Sequence, residues 1–136
     1  MSFDIFYKKY GFTDFIYPSD FVDFIPTFRD AQTGRFISRE VAEKLLETEP
    51  QRVLIDYRIR AKVDLPEFGI RRGHFISNEA YEDLAYYTHK HNQAIGLQRE
   101  LMITFEEAFD RLQSVESRYI WGEISSAEYG SWLYYG

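Results

Sequence analysis

Residues 52–65 read RVLIDYRIRAKVDL. Val53, Ile55, Tyr57, Ile59, Ala61, Val63 and Leu65 alternate with Arg52, Leu54, Asp56, Arg58, Arg60, Lys62 and Asp64. A period of two sustained over thirteen residues is the pattern of a β-strand with one face toward a core and the other toward water. At ~3.3 Å per residue such a strand would run about 43 Å, while a globule of this length has a radius of gyration of about 14 Å. The strand must therefore bend, bulge or project. Pro66-Glu67-Phe68-Gly69 supplies turn chemistry, and Ile70-Arg71-Arg72-Gly73-His74-Phe75-Ile76 is expected to return as the second strand of a long β-hairpin over 52–76. Arg58, Arg60 and Lys62 fall on one strand face and join Arg71 and Arg72 in a basic ribbon.

One phrase flanks this strand on both sides. Residues 34–45 read GRFISREVAEKL and residues 73–84 read GHFISNEAYEDL, with seven of twelve positions identical. Each copy reads as a glycine bend, a short apolar strand, a serine N-cap (Ser38, Ser77) and a helix with Glu40 or Glu79 in its first turn, where the helix dipole favours an anion. The first helix is expected to bury Val41, Ala42 and Leu45 and to stop near Thr48, before Pro50. The second opens a long helical region with the stripe Leu84, Tyr87, His91, Ala94, Ile95, Leu101 and Met102. Run unbroken from 78 to 120, it would be about 64 Å long. Thr104-Phe105-Glu106-Glu107 matches a capping box and predicts a fresh helix from Phe105, with Ala108, Phe109, Leu112, Val115 and Tyr119 on its buried side. Gly122 ends it. Ser125-Ser126-Ala127-Glu128 is another capping box, opening a last helix with Tyr129, Trp132 and Leu133.

Residues 1–28 carry Phe3, Phe6, Tyr7, Tyr10, Phe12, Phe15, Tyr17, Phe21, Phe24 and Phe28, punctuated by Pro18 and Pro26. This reads as an extended aromatic arm, lying on its own domain or on a neighbour, with Ser19-Asp20 capping a short helix over 20–25. The expected architecture is α+β: the arm over 1–28, then one α+β domain over 29–136. That domain comprises a short helix, the hairpin over 52–76, and a helical region over 77–136 of two or three helices including a long one.

Composition narrows the function classes. The chain has no cysteine, which excludes disulfides, thiolate metal sites and thiol catalysis. No run of ~18 apolar residues marks a membrane span. The first residues lack the order of a signal peptide, so a cytoplasmic protein is expected, or a virion component if viral. The aromatic content is 18%, from 12 Phe, 11 Tyr and 2 Trp; that many tyrosine hydroxyls suits contact surfaces as well as a core. The net charge of −6 is uneven: residues 52–74 hold six basic against three acidic side chains, and residues 75–136 hold four against ten. Basic and acidic faces of two chains can steer each other together.

Motifs for chemistry are missing. Placing Gly34 at position six of a calcium loop puts Glu40 at position twelve, but Arg29, Ala31 and Thr33 then occupy positions one, three and five, which offer no oxygen cage. His89 and His91 point ~200° apart on a helix and cannot share a metal. Glu106, Glu107, Asp110 and Glu116 read as a solvated acidic face. There is no phosphate loop, nucleophile elbow or H-E-x-x-H. No catalytic, metal-binding or cofactor-binding residue is expected.

Two resemblances bear on function. Residues 109–133, FDRLQSVESRYIWGEISSAEYGSWL, with Gly122, Ile124, Ser125, Glu128 and Tyr129, resemble the short helical hairpin called the SHOCT domain, whose pattern reads roughly G-x-I-[ST]-x-x-E-[FY]. The family's basic tail is replaced here by Trp132-Leu133-Tyr134-Tyr135. The resemblance implies oligomerisation or protein contacts. Residues 29–38, RDAQTGRFIS, resemble a phrase of small bacteriophage proteins, virion components included. The expected function is thus a non-enzymatic structural or assembly protein, a homo-oligomer or part of a larger assembly. Its contact residues would be Phe3, Phe6, Tyr7, Tyr10 and Phe12 in the arm, Arg58, Arg60, Lys62, Arg71 and Arg72 on the ribbon, and Trp121, Trp132, Tyr134 and Tyr135 near the end. The alternatives are an acidic regulatory inhibitor of a host protein, acting through Glu106, Glu107 and Asp110, and nucleic-acid contact through the basic hairpin.

Overall fold

The computed structural model describes residues 4–135, the side chain of Tyr135 excepted; Phe3 lies outside the described residues. The class is α+β, and the contacts gather the chain into two compact units. Unit 1 is Met1–Pro18 with Asp83–Gly136, and unit 2 is Ser19–Glu82. The boundary expected at 28/29 is therefore not where the chain divides. Residues 4–18 join the C-terminal helices, while 22–30 form a strand.

Unit 2 holds a four-stranded antiparallel sheet of order β2-β1-β3-β4, with β1 Val22–Asp30, β2 Phe36–Ile37, β3 Val53–Ala61 and β4 Phe75–Ile76. The alternating stretch forms β3 as expected but stops at Ala61, which removes the length problem. Its main partner is a correction: β3 pairs along its whole length with β1, from Val22↔Ala61 to Asp30↔Val53. The expected return strand is reduced to β4, opposite Ile59 and Arg60, and a Leu65↔Ile70 bridge. The helix expected over 20–25 is likewise overturned, since only a 3-10 turn, Pro18–Asp20, precedes β1. Val22, Phe24, Ile25, Thr27 and Phe28 are β-branched or aromatic and suit a pleated surface.

Pro26 is tolerated in β1 because of its register. It faces Tyr57, and in an antiparallel ladder alternate pairs turn their N–H and C=O groups away from each other. Pro26 has no N–H to lose there. The outward-pointing amide of Tyr57 donates instead to the carboxylate of the preceding Asp56 (2.8 Å). Both outer edges of the β1–β3 ribbon thus carry a device against pairing with a further strand.

The repeated phrase supplies the two edges of the sheet. In each copy a glycine at positive φ (Gly34, 70°; Gly73, 81°) leads into a two-residue strand. Arg29 then faces Phe36 at one corner, and Arg60 faces Phe75 at the other. The same offset relates 28↔37 to 59↔76, so a local pseudo-two-fold axis passes through the Pro26–Tyr57 pair. After each edge strand comes the capped helix: Ser38 Oγ accepts from Val41 N (3.2 Å) and Ser77 Oγ from Ala80 N (3.1 Å). Helix α2, Arg39–Thr48, ends before Pro50 as expected. It buries Ala42 and leaves Val41 exposed, contrary to expectation, because the small residue takes the inward position.

Unit 1 is helical: α1 Ile5–Lys8, most of α3 Asn78–Leu101, α4 Phe105–Ile120 and α5 Ser126–Tyr135. The long helix is broken where the capping box predicts. Thr104 Oγ1 accepts from Glu107 N (3.1 Å), and Met102 takes φ 53° in the connection, exposed rather than in the core stripe. Leu97, Ala108, Leu112, Val115, Ile124 and Leu133 form one buried cluster, and Ala94, Ile95, Phe105 and Phe109 another. The second capping box is fully made: Glu128 N donates to Ser125 Oγ and Ser125 N to Glu128 Oε1, both 3.3 Å. Arg111 Nη1 donates to the Leu133 carbonyl at the end of α5 (3.2 Å), where the helix dipole welcomes a cation.

Of the two placements open to the arm, residues 4–18 take the one on their own chain, in unit 1, where α3 offers polar anchors. Asn92 accepts from Ile16 N (2.9 Å) and donates to Ile16 O (2.6 Å). Arg99 donates to the Asp14 carboxylate (2.8 Å).

Candidate functional site

Two surfaces collect groups that the core does not use. The first lies on unit 1, between α3 and α4. The buried Lys90 and the half-buried Glu116 form an ion pair there, and the Tyr86 hydroxyl donates to the same carboxylate (2.6 Å). The Lys90 ammonium also sits 5.3 Å from the Tyr86 ring centroid. Burial pushes the Lys90 pKa below its usual range, and the adjacent carboxylate works against that shift. Two grooves open over the pair. One, of about 210 Å³, is walled by Phe109, Leu112, Ile120 and Trp121. The other, of about 460 Å³, is walled by Gln93, Tyr119, Ile120 and Tyr129. Ile120 is the ridge between them at 69% exposure, and Trp121 beside it is 79% exposed. Large apolar side chains at a groove lip over a polar centre are the make-up of contact hot spots.

The second surface is the sheet of unit 2. Arg39 lies 5.8 Å from the Phe28 ring, and Tyr81 meets Phe24 edge-on at 5.4 Å, which puts both helical neighbours on one face. The opposite face carries Asp23, Ile25, Thr27 and Arg29 of β1, Leu54, Asp56, Arg58 and Arg60 of β3, and Phe36 and Phe75 of the edges. None of these ten is buried. Phe36 is 66% exposed and Phe75 46%. Each ring has a guanidinium over it: Arg29 at 4.4 Å from Phe36 and Arg58 at 3.7 Å from Phe75.

The residues expected to make contacts fare differently. Phe6 is wholly buried, ringed by Tyr10, Phe12 and His91, and Tyr7 stacks on Phe105 at 3.9 Å; these are packing residues. Arg58 and Arg60 lie on the open sheet face, but Lys62 does not join them, because β3 ends at Ala61. Its ammonium pairs with Asp23 (3.4 Å) and donates to Ser19 O (3.0 Å). Arg71 and Arg72 sit in the connection before β4, exposed. Trp121 stands at the groove. Trp132 is half-buried under Arg118 (4.3 Å), Tyr134 is at the surface, and the side chain of Tyr135 lies outside the description. Glu106, Glu107 and Asp110 are exposed on α4, Glu106 pairing with Lys8 at 3.6 Å.

Sequence reasoning missed Lys90, Arg29, Phe36 and Phe75. Lys90 has no local mark, since its partner is 26 positions away. Phe36 and Phe75 had one, since they hold equivalent places in the repeated phrase; Arg29 lies outside it. No family model, curated protein or solved structure matches this chain.

Proposed function

We propose that the chain is a non-enzymatic assembly protein that works by protein contact, with the α3–α4 grooves as its contact site and a second copy as the first partner. The exposure of Ile120 and Trp121 carries this reading. An apolar ridge with a groove on each side is self-complementary, and two-fold pairing would place each ridge in the other copy's groove. The resemblance of residues 109–133 to a contact-making helical hairpin points the same way. Sedimentation velocity over a range of concentrations tests it. Wild type is expected to show a concentration-dependent heavier species, and Ile120→Asp is expected to return it to the monomer with an unchanged melting temperature. A wild-type chain that stays monomeric throughout counts against the second copy as partner.

A further inference from the structure

We infer that the open face of the unit 2 sheet is a binding surface for single-stranded nucleic acid, independent of the unit 1 grooves. Of the two acidic residues on this face, Asp23 pairs with Lys62, and Asp56, which accepts the amide of Tyr57, keeps its charge against three arginines. Among the described residues, Arg29, Arg58 and Arg60 have no carboxylate within ion-pair distance. The face therefore presents three unpaired guanidiniums, although the whole chain is acidic. Screening confines an exposed charge to about 10 Å at ordinary salt, so the three arginines, set against Asp56 on the same face, decide what approaches rather than the carboxylates elsewhere in the chain.

A polyanion satisfies the arginines, and the exposed rings select among polyanions. Phe36 and Phe75 occupy opposite corners of the face. Six residues along the strands and three strand spacings across place them about 24 Å apart. Rings at that spacing fit several successive nucleotides, with bases stacked on the phenyl groups and phosphates near the arginines. In a duplex the bases are already stacked on each other and cannot use the rings. Pro26 and the Asp56-bound amide of Tyr57 disfavour the competing use of this unit, the addition of a peptide strand, along the middle of the ribbon. Leu54, 52% exposed in the same row as Arg29 and Phe36, adds an apolar contact for bases at that corner. The repeated phrase places an exposed phenylalanine at each corner, Phe36 opposite Arg29 and Phe75 opposite Arg60, and the guanidinium over Phe75 is that of Arg58.

Fluorescence anisotropy with a labelled oligothymidylate of about 12 nucleotides tests this, using the full chain. Three phosphate contacts to a single strand predict that affinity falls roughly 20-fold from about 50 to about 200 mM salt. Replacing both Arg58 and Arg60 by Gln leaves one contact and a fall of only about 3-fold. Phe36→Ala and Phe75→Ala are each expected to weaken binding about 5-fold or more at fixed salt without changing the salt slope. A duplex of the same length is expected to bind more weakly. All four residues are exposed, so circular dichroism of the variants should match wild type. No binding by wild type at about 50 mM salt and micromolar to 100 μM protein overturns the inference. So does equal affinity for duplex, or binding that ignores both phenylalanines. Ile120→Asp, which tests the unit 1 contact, should leave oligonucleotide binding unchanged.

Discussion

Phe6 and Phe36 are the same residue type with opposite environments. Phe6, in unit 1, is fully buried among rings from its own segment and from α3, whereas Phe36, in unit 2, is 66% exposed beneath an arginine. The contrast extends to the units. Unit 1 closes its helices on two clusters of buried side chains and leaves a run of apolar groups, Tyr119, Ile120 and Trp121, outside at the end of α4. Unit 2 spreads a sheet with large side chains exposed on both faces, Leu54 on the open one and Phe24, Ile55 and Tyr57 on the one with helical neighbours. Apolar burial of roughly 25 cal/mol per Å² is the main stabilising term in a fold. Unit 1 thus commits Phe6, Phe105 and Phe109 to its core and leaves Trp121 at its contact site, whereas unit 2 keeps Phe36 and Phe75 available for contact.

Substitutions that separate these uses test the comparison. Phe6→Ala should cost about 4 kcal/mol of unfolding free energy, as for other buried phenylalanines, read from denaturant titration. A cost below ~1 kcal/mol would mean that the arm is not core. Lys90→Met should cost about 2 kcal/mol, because it leaves the partly exposed Glu116 without its cation. The pair replacement Lys90→Met with Glu116→Leu should recover most of this, since a well-packed apolar pair substitutes for a buried ion pair.

A pH effect comes next in size. His91 is buried, with Nε2 bonded to the Asp14 carbonyl (2.9 Å) and Nδ1 without a partner. Burial lowers its pKa, and the Asp14 carbonyl opposes the shift. The unfolded histidine, with an ordinary value of about 6.5, then binds more protons than the native one. Stability is fully present above that value and falls as pH drops below it, by at most ~1.4 kcal/mol per unit. Asp14 and Asp30 are both held below the usual carboxylate range, Asp14 chiefly by the Phe15 amide and Asp30 chiefly by Arg52. They lose their contributions only at lower pH. Melting curves from pH 8 to pH 5 should show the slope in wild type and not in His91→Gln. On the exposed sheet face, Leu54→Ala should change stability by no more than ~0.5 kcal/mol. A larger loss would show that this face is covered.

The caps were legible because capping is local. Ser38, Ser77, Thr104 and Ser125 each bond an amide three residues on, so the pattern that predicts the bond also contains its partner. The break between α3 and α4 and the strand of 53–61 were legible for the same reason. The pairing of β3 with β1 was not, because aromatic density and two prolines masked the strand character of 22–30. Nor was the exposure of Tyr119, which periodicity places on the buried side of α4.

By itself, then, the sequence determined the α+β class, the helix starts and stops, and the two copies of the strand-to-helix bend. These depend on interactions within a few residues. Only the tertiary structure decided that the two bends would flank one ribbon, that the arm would be core, and that Lys90 would meet Glu116. It also decided that Arg29 and Arg58 would lie over Phe36 and Phe75. Those outcomes depend on strand register and on which faces find partners, and both are set by burial between segments distant in the chain.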